Sequence, residues 1–400
     1  MYKLEELLQS WISKPPKQNV SMVLSSNDSL DILNILERSP IYPKMYWKGR
    51  NQKNIRIGLG MVEQWTEIPA NIEDVIRNNI AVFNIEGFDT TQPHWEGYPS
   101  KFTFLPKISI CIDESIQLHY DCRANIETKM DLPKLKNIPH CPTKSIWNEG
   151  IAYSHSLFEN TELKKVVLAR QSNLKCDQHW QLFAKLIQNQ PNCYHFLYSS
   201  DQRTCFIGAS PERLFQLSGN KLETEAIAGT RRNDPKETFD LQQNSKDQHE
   251  HQIVVDFIQS QLQTICTEIT VVPQKILYLQ HLQHLYTPIS GVLQSNVNLY
   301  DVLKALHPTP AVCGYPQEFA KSIIHQIEDF NRGWYAGTMG CITNETIDYT
   351  VLIRSALCVD DQVFIWTGAG IVPDSIAENE WEELNNKATQ FIKITTELQQ

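Results

Sequence analysis

Ten cysteines are spread from position 111 to position 358, yet no two of them stand in C-x-x-C spacing. That excludes a zinc ribbon and a dithiol redox motif. No window approaches 18 consecutive apolar residues, so no segment reads as a membrane span. The opening stretch MYKLEELLQSWISKPPKQ has no apolar core of the signal-peptide kind. Neither a repeat of 20–50 residues nor a low-complexity tract is present, which excludes solenoids and arrays. Positive charge is also scarce: 36 Lys and Arg face 46 Asp and Glu, a net charge of −10. That argues against a nucleic-acid or anionic-membrane partner bound by general electrostatics. An anionic small substrate remains open, provided local cations or a metal receive it. The expectation is a soluble, cytoplasmic protein with reduced thiols, and no nucleic-acid or membrane partner.

What is present is enough apolar residue, 41% of the chain, to build a sizeable core. The stretches 54–65, 102–113, 164–170, 193–200 and 205–210 read as strands. The segment RLFQLSGNKLETEAIAG reads as a hairpin turning at Ser218-Gly219-Asn220. IDYTVLIRSALC and QVFIWTG read as a second hairpin around Val359-Asp360-Asp361, followed by a helix from about 376. Helical spacing links Trp180, Phe183, Ala184 and Ile187, then Ile253, Val254, Phe257 and Ile258, then Leu299, Val302, Leu303 and Leu306. Strands that come in hairpins favour an α+β fold of mostly antiparallel sheets over a doubly wound one. The proline-rich stretch 131–144 reads either as a domain boundary or as a long loop.

Several residues invite chemistry, each beside a plainer reading. Lys165 shares strand parity with Val167 and Ala169, so it points inward as a base or else guards an edge. Glu250 shares a helix face with Ile253, Val254 and Phe257, and must find a partner there unless it is merely solvated near the helix start. His249 and His251 diverge on a helix, and no H-E-x-x-H follows, which argues against zinc there. Glu380 and Lys387 project from similar faces of the last helix, as a functional pair or as surface charge. Arg354 lies among apolar residues of a strand and needs an anion. Glu212 sits at a strand junction, where a turn carboxylate is commonplace. GAGIVP (368–373) offers backbone N–H groups but lacks the third glycine of a dinucleotide fingerprint, and GLGMV (58–62) is equally weak. Two carboxylates, an Arg, and a Lys/Glu pair together make a set that Mg²⁺ and a substrate anion would satisfy.

KVVLAR, GASPERLF, EAIAGTRR, SKDQHEHQIVV, HPTPAVCGYP, RGWYAGTMG, LIRSA and GAGIVPDSIAENEWEELNNK follow one another between Lys165 and Lys387. In that order they resemble the chorismate-utilising enzymes, most closely the isochorismate synthase branch. The portion from 145 to 400 carries these motifs. The portion from 1 to 130 matches loosely, through PKMYWKGR and Trp95, Phe102 and Pro106. The resemblance implies one large α+β domain over 1–400, of antiparallel sheets flanked by helices, and makes 131–144 a loop. It further implies that Lys165 activates water for attack at C2 of chorismate and that Glu212 protonates the departing C4 hydroxyl. Glu250 and Glu380 would hold Mg²⁺. Arg354, with the backbone at Gly337, Gly368 and Gly370, would bind the enolpyruvyl carboxylate, with Lys387 adding positive charge. Gly229, Thr230, His307 and Ala311 would line the ring pocket.

Within the family, Ala228 stands where aminodeoxychorismate synthases commonly carry Lys. Lys165 stands where anthranilate synthases commonly carry Gln, so the nucleophile implied is water. The HPTPA form with Ala311 resembles isochorismate synthases more than salicylate synthases. A salicylate synthase is the nearest alternative, and a non-catalytic chorismate-binding homologue is the alternative of another class. The resemblance implies a monomer with no glutamine amidotransferase subunit. The product would serve siderophore or menaquinone biosynthesis, with the N-terminal portion leaning towards the siderophore type.

Overall fold

Alternation along the strands sends opposite faces into two different cores. Phe196, Tyr198, Phe206 and Trp366 pack in one, while their neighbours Leu197, Cys205, Ile207 and Ile365 pack in the other. The computed structural model describes residues 2–25, 32–77, 81–91, 95, 98–123, 142–280 and 282–399. These contain nineteen strands and ten helices, and every strand pairing among them is antiparallel. The fold is the single α+β domain expected, with helices against a large antiparallel sheet.

From one edge the sheet runs through Gly314–Tyr315, Lys165–Lys175, Gln362–Ile371, Ser355–Val359, Thr204–Ser210, Tyr194–Ser199, Lys44–Lys48 and Ile55–Trp65. There the strand Lys101–Ile112 changes partners. Its later residues pair with Ile55–Trp65 and Ser115–Tyr120, its first four with Val82–Glu86. Pro106, which has no N–H to donate, falls at the register shift between Met61 and Glu63. The sheet continues through Thr338–Ile342, Ile347–Val351, Arg213–Ser218, Lys221–Arg232 and Leu282–Leu293. Both halves contribute to the first core, as Leu168 and Phe206 do from one and Phe215 and Ile289 from the other. The second core lies under helices that supply Leu4, Leu8, Ile35, Leu182, Phe391 and Ile394.

Strands on the two sides of 131–144 pair directly: Lys44–Lys48 with Tyr194–Ser199, and Val82–Glu86 with Thr338–Ile342. They belong to one sheet, so a domain boundary in between does not hold. The stretch itself falls outside the described residues up to 141. At its end Thr143 caps the helix Lys144–Asn160 by accepting from the Ile146 N–H.

One local reading needs correction. IDYTVLIRSALC is not one strand: Ile347–Val351 and Ser355–Val359 are separated at Leu352–Arg354, where Arg354 takes a left-handed φ of 51°. Periodicity could not reveal this, because the break lies inside an apolar run. The expected helix is present as His179–Asn189: it buries His179, Leu182, Phe183 and Leu186, with Trp180 and Ile187 partly buried against the same core. Among the described residues, no helix is long and apolar enough to cross a membrane.

Candidate active site

The strand Lys165–Lys175 is anchored on its flank by a buried ion pair. Glu328 accepts the Ala169 N–H at 2.7 Å and binds Arg332, whose guanidinium also donates to the Val167 carbonyl at 2.7 Å. This fixes Lys165 at the strand start, fully buried, with its ammonium 3.0 Å from Glu250 Oε1. Gly370 makes room for that pair. A Cβ at Gly370 would stand 2.2 Å from Glu250 Oε1 and 2.8 Å from Lys165 Cε. Gly370→Ala should therefore separate the two side chains while leaving the sheet intact. Turnover should fall roughly 10²-fold, as misplacements of about 1 Å do. A steady-state assay beside a thermal melt checks this, and unchanged turnover would show that the pair does not act in the reaction.

Glu250 reaches the site because Asn244 caps the helix Ser245–Ile265, accepting from the Asp247 N–H at 3.2 Å. Lys246 lies one helical turn before Glu250 and faces the same way. Its ammonium stands 3.4 Å from Glu250 Oε2 and 3.0 Å from Glu380 Oε1. Burial would lower its pKa, but Glu250, Glu380, Glu383 and Asp247 raise it above the ordinary value. Burial would raise Glu250, but Lys165 and Lys246 hold it below the usual carboxylate range. Glu380 is pushed the other way by burial, against Lys246. Two carboxylates thus converge on one cationic atom. Oxygen donors so arranged fit a hard cation such as Mg²⁺.

A cavity of about 70 Å³ lies beside this cluster. Glu212, Glu250, Arg354 and Lys387 line it, together with Gly229, Thr230, Ala311, Gly368 and Gly370. It shares Thr230 and Glu383 with an outer cleft of about 520 Å³, which Lys246 and Glu380 line. Glu250 thus lines the inner cavity and Glu380 the adjoining outer cleft. Gly229 has φ +68° at a register shift between Ala228 and Thr230, a conformation that favours glycine.

Glu212 is buried, and burial followed by the neighbouring Glu225 carboxylate pushes it up to about 8. Arg50, from PKMYWKGR, binds the Glu225 carboxylate and donates to the Pro211 carbonyl. The N-terminal portion therefore shapes the surroundings of Glu212. Arg354 turns into the cavity from its left-handed break. Among the described residues no carboxylate pairs with its guanidinium, and burial lowers its pKa from the ordinary value. Lys387 donates to the Gly368 carbonyl at 2.7 Å and pairs with Glu383 at 2.7 Å.

Two residues named from the sequence lie elsewhere. His307 is half-buried, with Nε2 3.1 Å from the Ala336 carbonyl oxygen, and does not line the cavity. Gly337 packs against the Val82–Glu86 strand, where a Cβ would stand 2.2 Å from the Glu86 carbonyl oxygen. Its glycine serves close backbone approach, not the cavity.

Others went unnoticed. His284 lines the cavity, its Nδ1 3.1 Å from the Gly229 carbonyl oxygen and its buried Nε2 unbonded. Burial, then Arg354 and Lys387, pulls it down to about 3, so the ring is neutral. Donation from Nδ1 to Gly229 leaves Nε2 as an acceptor for a substrate hydroxyl. Tyr335 also lines the cavity, its hydroxyl 2.8 Å from where a Gly368 Cβ would be. The available signal was spacing: Lys246 and Glu383 each lie four residues before a residue already singled out.

A family model described as chorismate binding enzyme matches residues 111–396. The isochorismate synthase MenF of Escherichia coli is 29% identical over 96% of this chain and 95% of its own. A chloroplastic isochorismate synthase of Catharanthus roseus is 38% identical over 58% of this chain and 42% of its own. The solved structure of MenF, the menaquinone-specific isochorismate synthase of Escherichia coli, superposes with a TM-score of 0.80 at 28% identity, covering 98% of each chain. Anthranilate synthase component I of Streptococcus pneumoniae shares the fold, with a TM-score of 0.68 at 21% identity, covering 93% of this chain and 92% of its own.

Proposed function

The chain belongs to the chorismate-binding enzyme family, and from that premise we propose that it is an isomerase converting chorismate to isochorismate. The observation that carries the reading is Glu212, a buried carboxyl held protonated up to about pH 8 and facing the cavity beside Lys165 and Glu250. Hydroxide is a poor leaving group, and an acid poised near neutral pH is what its departure needs.

Lys165, once its ammonium has passed a proton to solvent, takes a proton from water as the oxygen attacks C2. The ring double bond shifts, the C4–O bond breaks, and Glu212 gives its proton to the departing oxygen. One water enters and one leaves, so the product is an isomer. Arg354 and Lys387 receive substrate carboxylate, and His284 accepts from a hydroxyl. Glu250 and Glu380 would hold Mg²⁺, and the ion when bound would supply positive charge for the ring carboxylate. Lys246 has to leave its place between them for that.

A monomer acting in the cytoplasm without an amide-transfer subunit suits a water nucleophile. The full-length likeness to a menaquinone-specific enzyme supports menaquinone biosynthesis over the siderophore alternative. Incubation with chorismate in ¹⁸O-labelled water tests the reading. Isochorismate carrying one ¹⁸O per turnover, formed with Mg²⁺ and not with EDTA, is the expected result. Salicylate with pyruvate would move the chain to the lyase branch, and no product in either condition would overturn the enzymatic reading.

A further inference from the structure

The second core holds a cluster that the reaction does not use. Cys205 and Cys358 are directly opposite each other on the paired strands Thr204–Ser210 and Ser355–Val359. His179 opens the helix His179–Asn189 above them. All three are buried, and their potential ligand atoms lie within 4.8 Å of one another. On a tetrahedral zinc ion, with Zn–S of about 2.3 Å and Zn–N of about 2.0–2.1 Å, ligand atoms stand about 3.4–3.8 Å apart. A small contraction brings these three to that spacing.

His179 Nε2 is a buried ring nitrogen with no hydrogen-bond partner, which is costly unless something else binds it. Cys176 stands three residues before His179 and is also buried. Its N–H donates to the Asp361 carbonyl at 2.9 Å, holding the segment against the turn that follows Cys358. The Cys176 thiol is not among the ligand atoms that lie within 4.8 Å of one another, so it joins them only by a change of side-chain rotamer.

We propose that His179, Cys205 and Cys358, with Cys176 as fourth ligand, form a structural zinc site that staples this helix to the sheet. Thiolates and an imidazole select zinc over the hard cation suited to Glu250 and Glu380. Binding releases the thiol protons to solvent, with no change of oxidation state. The helix begins without a side-chain cap, so its first N–H groups add positive potential beside the thiolates.

The test is the metal content of the purified full chain. About one zinc per chain is expected, and refolding with Co²⁺ should give thiolate charge-transfer bands and the visible bands of a tetrahedral ion. Cys205→Ser and Cys358→Ser should lose the metal, while Cys341→Ser, a buried thiol in the first core, should keep it. The cobalt spectrum of the unaltered chain keeps the test valid if the serine variants fold poorly. Less than about a tenth of an equivalent of zinc, with no cobalt bands after refolding with metal, overturns the proposal. So does an intact mass short of two hydrogens, the mark of a Cys205–Cys358 disulfide. Full zinc retention in Cys176→Ser overturns the fourth-ligand assignment.

Discussion

Glu212→Gln should leave a folded protein whose turnover of chorismate is slower by about 10²–10⁴-fold, the usual worth of a positioned acid. Glutamine keeps the shape and the hydrogen-bonding capacity but has no proton to give. Lys165→Ala should lose a comparable factor from the other side of the reaction. The pH profile separates a catalytic Glu212 from a structural one. Its carboxyl is pushed up to about 8, so the unaltered enzyme should lose activity as pH rises through that value, and the residual rate of Glu212→Gln should not follow that limb.

Stability should also fall with rising pH, over a lower range. The unfolded glutamate titrates at about 4.3, whereas the folded one keeps its proton to about 8. Between those values the native state binds more protons than the unfolded state, so stability falls as pH rises and levels off above about 8. Glu212→Gln removes the cost of burying that charge. The variant should therefore melt higher than the parent at pH 9 and close to it below pH 4. A variant that is inactive and also less stable at pH 9 would sink the acid assignment.

Much of this site was legible because its signals are local. Parity along one strand points Lys165 inward, the helical period puts Glu250 on an apolar face, and paired hairpins give the antiparallel class. What stayed hidden depends on contacts between distant parts of the chain. Arg50 and Glu225 are 175 residues apart, and no period in either segment hints that they meet beneath Glu212. Arg354 reads as a strand residue because its neighbours are apolar. Only the left-handed φ shows that the chain breaks to turn its guanidinium into the cavity. Backbone strain of this kind persists where the surrounding structure holds it, and it gathers at functional sites. Cys205, Cys358 and His179 are hidden for the same reason: they are far apart in the sequence, and only the pairing of two strands and the helix above them brings them together.

Lys246→Ala carries the other large effect, and it reads out on the metal as well as on the fold. In the unaltered chain the Lys246 ammonium lies between Glu250 and Glu380, at 3.4 Å and 3.0 Å. Removing the ammonium leaves the buried Glu380 carboxylate without its partner, at a cost of up to about 3–5 kcal/mol, while Glu250 keeps Lys165. Without divalent cation the variant should accordingly melt well below the parent. The two carboxylates, freed of their resident cation, should then bind Mg²⁺ at least about tenfold more tightly, since no ammonium has to be displaced. Mg²⁺ binding only the native state raises stability by mass action, so the melting difference should close as Mg²⁺ is added. Calorimetric titration of Mg²⁺ into both proteins, with no substrate present, measures this directly. Equal affinities, or a melting deficit that Mg²⁺ does not repair, would mean that the ion is held elsewhere and that Lys246 serves only to neutralise the acidic cluster. Tighter binding with slower turnover would instead tie Lys246 to the reaction, as the group that keeps Glu250 and Glu380 apart from the metal until substrate enters.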